Sequence, residues 1–473
     1  MYGMIFLAVI SFALSLVLTP AVRTLAHRLH IVDEPDHHRK IHKVPIPRIG
    51  GVAIFASTIG AYALLLIVRL NAGSVIRAHA PLALRLLPAA TIIFGIGLVD
   101  DIFQVKPVYK LAAQIIAAVL AWESGIHLSS VGGHDLPTVV SFVLTTIWIV
   151  ACSNALNLID GVDGLAAGVS LFAVITTLVA ALFHHNVDLA FATIPLAGTL
   201  LGFLRFNFSP ASIFLGDCGS LTLGFLLGCY GVVWSEKSTT VLSMSAPLMV
   251  LFVPLFDTGL AVVRRFLHQK PIFSADRGHI HHKLLSQGLP PGRVVLILYS
   301  FCGLTSVAGL LLTATQLQYR GLIVVVVILA ALVGVQYLGY VEFGVLGRAI
   351  FSGGFHRLLH VHLNLAKFER RLAASKTLEE TWNLLCRESS SFGFSGLELR
   401  VDGKTRVRQA NSHSQIRVEF PGRGYIILSR GTGADMGASA GVLFADCIER
   451  VFVQKLEELD PARQEAAAYA EAN

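Results

Sequence analysis

Long apolar runs separated by short polar segments fill the first 341 positions of the chain, and no fixed-period repeat is visible across them. A bilayer-crossing helix needs about 20 mostly apolar residues to cover about 30 Å of hydrocarbon. Eleven stretches are candidates, at 3–22, 50–69, 83–99, 108–122, 138–154, 163–183, 188–204, 212–234, 239–263, 293–315 and 321–341, of which 83–99 and 108–122 are short. The first lacks a positive leading region and a small-residue cleavage site, so it reads as a retained span rather than a signal peptide. Beyond 341 the pattern changes. An amphipathic helix is expected over 356–389, short alternating strands at Leu397–Val401, Gln415–Phe420 and Tyr425–Ser429, and a helix over 439–459. The expected fold is therefore an all-α polytopic membrane protein over 1–341 with a small C-terminal cytoplasmic α+β domain over 342–460, GAF-like in outline or a docking scaffold. The Ala/Glu-rich tail, 461–473, is expected to be disordered.

Composition sharpens this picture. Of 473 residues, 54% are hydrophobic and 14% charged, where a soluble domain carries about 25% charged residues. Residues 1–341 hold 34 of the 67 Asp, Glu, Lys and Arg, and 342–473 hold the other 33, which makes two objects of different solvent. A wholly soluble protein, a coiled coil and a disordered chain are excluded. The net charge of +7 is small for the length, and no basic run interleaved with aromatics appears, so nucleic acid is not an expected partner. Cys152, Cys218, Cys229, Cys302, Cys386 and Cys447 show no paired spacing and read as small apolar residues. Lys and Arg concentrate in 23–48 and 264–293, after odd-numbered spans, which puts those loops and the C-terminus in the cytoplasm and the N-terminus outside.

The unusual polar residues fall in the same odd loops. Loop 1 runs from Asp33 through His42 to Pro45-Ile-Pro47-Arg48-Ile-Gly50-Gly51; an ordinary basic anchor explains its cations, but not the acid, the prolines or the glycine pair, which suggest a shaped loop with close backbone approach. Asp100 and Asp101, followed by Lys106 and Lys110, are adjacent carboxylates at a membrane boundary, a costly placement suited to a metal, a proton or a phosphate. Asn154, Asn157 and Asp160 recur at helical spacing, and Asp160-Gly161 and Asp163-Gly164 mark a break that opens backbone groups to a ligand. Phe214-Leu-Gly216-Asp217-Cys218-Gly219-Ser220 sets an acid between glycines inside an apolar run. Asp257 closes the ninth span, leading through Arg264, Arg265 and Arg277 to His279-Ile-His281-His282. A zinc site, a solvated basic loop and an anion-binding loop are all open for the histidines, and the last is favoured because no further zinc pattern accompanies them. Together these form oxygen ligands for Mg²⁺ ringed by Arg, Lys and His, the apparatus of phosphoryl transfer.

These five ordered motifs resemble the polyprenyl-phosphate N-acetylhexosamine-1-phosphate transferases, glycosyltransferase family 4, across about residues 1–341. The resemblance implies attack by undecaprenyl phosphate on the sugar-linked phosphorus of a UDP-N-acetylhexosamine, giving lipid-diphospho-sugar and UMP at a bacterial inner membrane. It implies Mg²⁺, with Mn²⁺ as a substitute, on Asn157 and Asp217. Asp100, Asp101, Asp160, His279, His281 and His282 would be catalytic. Asn154, Asp160, Gly161, Asp163, Phe214, Arg264, Arg265 and Arg277 would bind the nucleotide sugar, and Lys106, Lys110 and His42 the lipid phosphate. The His279-Ile-His281-His282 pattern looks more like the branch that starts O-antigen, enterobacterial common antigen or teichoic acid synthesis than the phospho-MurNAc-pentapeptide translocases, so UDP-GlcNAc is the first expected substrate. A homodimer is compatible with it. Two rivals fit less well. A proton-coupled transporter predicts acids near span midpoints, and a CDP-alcohol phosphotransferase needs an Arg that Asp163-Gly164-Leu-Ala-Ala-Gly168 lacks.

Overall fold

The computed structural model describes residues 2–34, 45–67, 81–131, 134–236, 244–267, 278–314, 317–338, 355–375, 377–392, 394–401, 403–408, 414–420, 423–430, 441, 444–449 and 451–452. The chain divides into two compact units, Met1–Arg265 with Pro271–Gly339, and Phe266–Lys270 with Tyr340–Asn473.

In the first unit the helices are α1 (Tyr2–Arg28), α2 (Gly50–Ile67), α3 (Pro81–Phe103), α4 (Pro107–Glu123), α5 (Thr138–Ile159), α6 (Leu165–Phe183), α7 (Val187–Asn207), α8 (Asp217–Glu236), α9 (Ser245–Val250), α10 (Phe252–Leu267), α11 (Ile280–Ser286), α12 (Pro291–Ala314) and α13 (Leu317–Tyr337). Two small antiparallel pairs interrupt them, β1 (Val32–Asp33) with β2 (Ile46–Pro47) and β3 (Ser130–Val131) with β4 (His134–Asp135). Among the described residues eight helices are long and apolar enough to cross a membrane: α1, α2, α3, α5, α6, α7, α8 and α12. Eight of the eleven expected spans are thus met by such helices among the described residues, and the other three stretches differ from a single long helix. At 108–122 the helix α4 has 17 residues. At 239–263 the apolar run is two helices, α9 and α10, broken at Leu251. Pro254 has no N–H to offer the Val250 carbonyl, so the ladder cannot run through. At 321–341 the apolar part of α13 is Tyr319–Gly334.

Small residues let these helices approach closely. Ser11, Ser15 and Thr19 lie fully buried along one face of α1, and Ser15 Oγ donates to the Thr199 carbonyl at 2.8 Å. Opposite them Gly202 on α7 has no room for a Cβ, which would meet Ser15 Cβ at 2.7 Å. Between lipid-bathed helices this kind of contact replaces the hydrophobic drive that water would supply.

The second unit holds α14 (Phe355–Ala374), α15 (Leu378–Ser389) and one antiparallel sheet in the order β6-β5-β8-β7, from β5 (Gly396–Val401), β6 (Lys404–Arg408), β7 (Ser414–Phe420) and β8 (Gly424–Arg430). Its core packs Phe368, Phe392, Phe394, Phe444 and Phe452 against Leu399, Ile426 and Leu428. The single helix expected over 356–389 is two. Thr377 ends the first by capping the second, its Oγ1 accepting from Glu380 N at 3.1 Å. β6 was not expected because its residues, Lys-Thr-Arg-Val-Arg, are almost all exposed and show no apolar alternation. Residues 444–449 are helical, and the rest of 439–459, apart from 441 and 451–452, and the whole of 461–473 lie outside the described residues.

Candidate functional site

A cavity of about 610 Å³ opens where the ends of α3, α5, α7 and α8 meet the β1–β2 pair and α11. Six carboxylates line it, Asp33, Asp100, Asp101, Asp160, Asp163 and Asp217, with Arg48, His282 and Phe214. An acidic wall does not hold a diphosphate unaided, so a cation must come with such a ligand.

The first wall is built by α3 and α8. Gly97 on α3 lies so close to the start of α8 that a Cβ would meet Cys218 Cα at 2.6 Å. One turn later, Asp101 (5% exposed) accepts from the backbone N–H of Asp217 at 2.9 Å and of Cys218 at 3.0 Å. The residue before α8 is Gly216, at φ +75°, which has no side chain to cap with. Asp101 therefore caps α8 from the neighbouring helix and satisfies two of its open donors. Asp100 turns the other way. Its Oδ1 accepts from Val105 N at 2.7 Å and its Oδ2 lies 3.1 Å from Lys110 Nζ. Pro107 starts α4 so that Lys110 falls one turn in, and its ammonium also reaches Asp217 Oδ2 at 2.9 Å. Lys110 thus joins Asp100 to Asp217 at the cavity.

The loop 1 glycines explain how α8 is held from the opposite side. Phe214 N donates to the Pro47 carbonyl, and Gly50 N and Gly51 N donate to the carbonyls of Phe214 and Leu215 at 2.9 and 2.8 Å. A Cβ on Gly51 would lie 2.6 Å from the Cys218 carbonyl carbon. The close approach expected of the glycine pair is therefore made to the Gly-Asp-Cys-Gly segment itself.

The second wall is the turn between α5 and α6. Asp160 follows the last residue of α5, and Gly164 at φ +79° starts α6. Asp163 Oδ2 accepts from Ala211 N at 2.9 Å, and Tyr299 Oη donates to the Gly164 carbonyl at 2.5 Å. Asp160 keeps some accessible surface inside the cavity, yet its carboxyl is pushed well above the usual carboxylate range, first by removal from bulk water and then by Asp217, Asp101 and Asp163.

The histidines arrive on α11. Only His282 among them lines the cavity; His279 and His281 are 4% and 2% exposed. His281 is packed against Gly161, where a Cβ would lie 2.7 Å from its Nε2, and burial with the neighbouring His282 and His279 pushes its imidazolium down to about 3.

Other expected residues stand apart from the cavity wall. Asn154 forms a reciprocal amide pair with buried Gln114, its Nδ2 donating to Gln114 Oε1 at 2.7 Å. Asn157 Nδ2 donates to Ser220 Oγ at 3.0 Å, while its Oδ1 takes no hydrogen bond among the described residues. Lys106 is exposed at the N-cap of α4. Arg265 is buried on α10, and the Arg264 guanidinium packs against Gly278. His42 and Arg277 lie outside the described residues. Conversely, Arg48, Gln104, Asn207 and Ser209 line the cavity and were not expected there. Arg48 belongs to the loop 1 motif, where an ordinary basic anchor already accounts for its charge. Asn207 Nδ2 donates to the Ile213 carbonyl at 2.9 Å and so shapes the segment leading to Phe214.

Among the described residues no three His, Cys, Asp or Glu side chains are placed to hold one metal ion together. Mg²⁺ does not require such a trio, since it takes one or two protein carboxylates and completes its octahedron with water and phosphate oxygens. Asp217 facing the cavity, and Asn157 with its Nδ2 turned to Ser220 and its Oδ1 taking no hydrogen bond among the described residues, fit that ion.

The glycosyl transferase family 4 profile matches residues 83–235. The chain is 33% identical over 329 residues to the probable undecaprenyl-phosphate N-acetylglucosaminyl 1-phosphate transferase of Bacillus subtilis, covering 68% of this chain and 88% of that protein. It is 36% identical over 315 residues to the decaprenyl-phosphate N-acetylglucosaminephosphotransferase of Mycobacterium tuberculosis, covering 61% and 77%. The phospho-N-acetylmuramoyl-pentapeptide-transferase of Staphylococcus saprophyticus is 30% identical over 323 residues, covering 64% and 95%. With Asp100, Asp101, Asp160 and Asp217 all inside the matched segment, and a relative one-third identical along most of its length, the chain belongs to glycosyl transferase family 4.

Proposed function

We propose that the protein transfers N-acetylglucosamine-1-phosphate from UDP-GlcNAc to undecaprenyl phosphate, releasing UMP, at the cytoplasmic face of a bacterial inner membrane. A lipid phosphate oxygen forms the new bond to the sugar-linked phosphorus, and the bond from that phosphorus to the UMP oxygen breaks. The observation that carries the reading is the Lys110 bridge between Asp100 and Asp217 at an acidic cavity beside membrane-crossing helices. The B. subtilis and M. tuberculosis relatives, both named for GlcNAc-phosphate transfer to a polyprenyl phosphate, support the same donor and acceptor.

In this reading Asp217 and Asn157 would hold Mg²⁺, with Mn²⁺ as a substitute, and the ion would supply positive charge for the diphosphate. Asp101 fixes the backbone that presents Asp217. Asp100 orients Lys110, whose ammonium takes up the lipid phosphate. A phosphate monoester, with a second pKa near about 6, is already ionised at neutral pH, so Asp100 and Asp101 position rather than deprotonate. Asp163 and Phe214 flank the nucleotide end of the cavity, Asp160 lies beside them with its carboxyl pushed up by burial and by its acidic neighbours, and His282 meets the diphosphate or sugar.

The reading is tested with membranes supplied with radiolabelled UDP-GlcNAc, Mg²⁺ and undecaprenyl phosphate. Lipid-linked label and stoichiometric UMP are expected. Label from UDP-MurNAc-pentapeptide and none from UDP-GlcNAc would move the assignment to the other branch, which the S. saprophyticus relative represents. No label from either would overturn the reading.

A further inference from the structure

Asp257 lies on α10 with 1% of its surface exposed, and nothing in the proposed reaction uses it. A buried carboxylate in an apolar helix is costly unless its oxygens are met by donors. Both are. Oδ2 lies 2.9 Å from His279 Nδ1, and Oδ1 accepts the backbone N–H of Ile280 at 2.9 Å. One carboxylate therefore holds both the N-cap side chain and the first peptide of α11.

From that anchor the imidazoles lead to the cavity. The rings of His279 and His281 are parallel with centroids 5.7 Å apart, and those of His281 and His282 are 4.3 Å apart. His281 Nε2 has no hydrogen-bond partner among the described residues and is pressed against Gly161, a cavity-lining residue. His282 enters the cavity wall itself. There is no slack between α11 and the Asp160–Asp163 turn, so a change in the tilt of α11 must move one or the other.

Resting on the transfer reaction proposed above, we infer that Asp257 is a positioning residue: it fixes the His279 imidazole and the first turn of α11, and so sets where His281 meets Gly161 and where His282 enters the cavity. Asp257 does not line the cavity. With a carboxylate accepting at both oxygens, the His279 hydrogen that faces it is on Nδ1.

Asp257→Asn separates this role from bulk stability. Its Oδ1 still accepts from Ile280 N–H, but its amide offers a hydrogen to His279 Nδ1, which moves the imidazole hydrogen to Nε2. In purified full-length protein, KM for UDP-GlcNAc is expected to stay within about threefold while kcat falls at least about thirtyfold, the signature of lost alignment rather than lost binding. In a His279→Ala background the same substitution is expected to lower kcat no further. A ¹⁵N-histidine spectrum in nanodiscs should show an Nδ1–H imidazole in wild type that is absent from His279→Ala. That spectrum needs neither activity nor a folded Asp257 variant. A His279 Nδ1 without a hydrogen in wild type, a kcat for Asp257→Asn within threefold of wild type, or full additivity with His279→Ala would each overturn the inference. If wild type releases no UMP from UDP-GlcNAc, the substrate reading fails instead, and the spectrum still decides the role of Asp257.

Discussion

Two polar regions meet at the cavity, and they are built by opposite means. At the junction of α3, α4 and α8 the charged groups share partners and stay open: Lys110 serves both Asp100 and Asp217, which keep 15% and 25% of their side-chain surface. Between α10 and α11 the groups are sealed, with Asp257, His279 and His281 almost fully buried and His282 alone reaching the space. Shared, half-hydrated partners can be exchanged for a ligand at low cost, because little desolvation is undone. Sealed partners cannot be exchanged, and their cost is recovered as fixed geometry. In the proposed reaction the open cluster would take metal and phosphate, and the sealed one would gauge them.

The strongest way to break that distinction is at Asp217. Asp217→Asn keeps the shape and removes the charge, and UMP release is expected to fall at least about a thousandfold. Activity within tenfold of wild type would mean the open cluster is not where ligands exchange. Gly51→Ala attacks the same cluster from outside, since its Cβ has no room against the Cys218 and Gly219 backbones. A displaced α8 start is expected to lower kcat about a hundredfold and to cost about 1–3 kcal/mol in thermal unfolding. An unaffected kcat would show that Asp217 is placed without help from loop 1.

How much of this was legible in the sequence depends on what each residue's neighbours along the chain reveal. The eight long spans were readable because length and apolarity alone define them. The break at Leu251 was not, since Pro254 sits in an unbroken apolar run and hydropathy does not register a missing N–H. Asp100, Asp101, Asp160 and Asp217 stood out because acids are scarce in such stretches. That Asp100 serves the cavity while Asp101 caps α8 was hidden, because consecutive positions give no hint which of the two meets a helix 116 residues further on. Asn154 shared a helical face with Asn157, but its partner, Gln114, was the polar residue overlooked inside the run at 108–122. The pairing of Asp257 with His279 joins α10 to α11 across a loop, and only the fold brings the two together.

Asp101→Asn tests whether the division between neighbouring acids is real. Its amide cannot accept from both Asp217 N and Cys218 N, and one orphaned donor is expected to cost about 1–3 kcal/mol. Asp100→Asn, whose surroundings are partly hydrated, is expected to cost less than about 1 kcal/mol while lowering the rate. Equal losses of stability in thermal unfolding would put both acids in one class.

The smallest expected effect probes the sealed region through pH. His281 takes a proton at an ordinary value near 6.5 in the unfolded chain and only near 3 in the folded one, because burial and then His282 disfavour its charge, with a partial opposing pull from Asp257. Between those values the unfolded state binds more protons, so the contribution is complete above 6.5 and is lost as pH falls toward 3. From pH 7 to pH 5 wild type should lose up to about 2 kcal/mol more than His281→Gln, whose amide does not titrate. Unfolding is measured for both proteins in the same detergent at pH 7, 6 and 5. Parallel curves would mean that the imidazole is hydrated or already charged in the folded protein. α11 would then belong with the open cluster, and the contact between His281 and Gly161 could not act as a fixed gauge for the cavity wall.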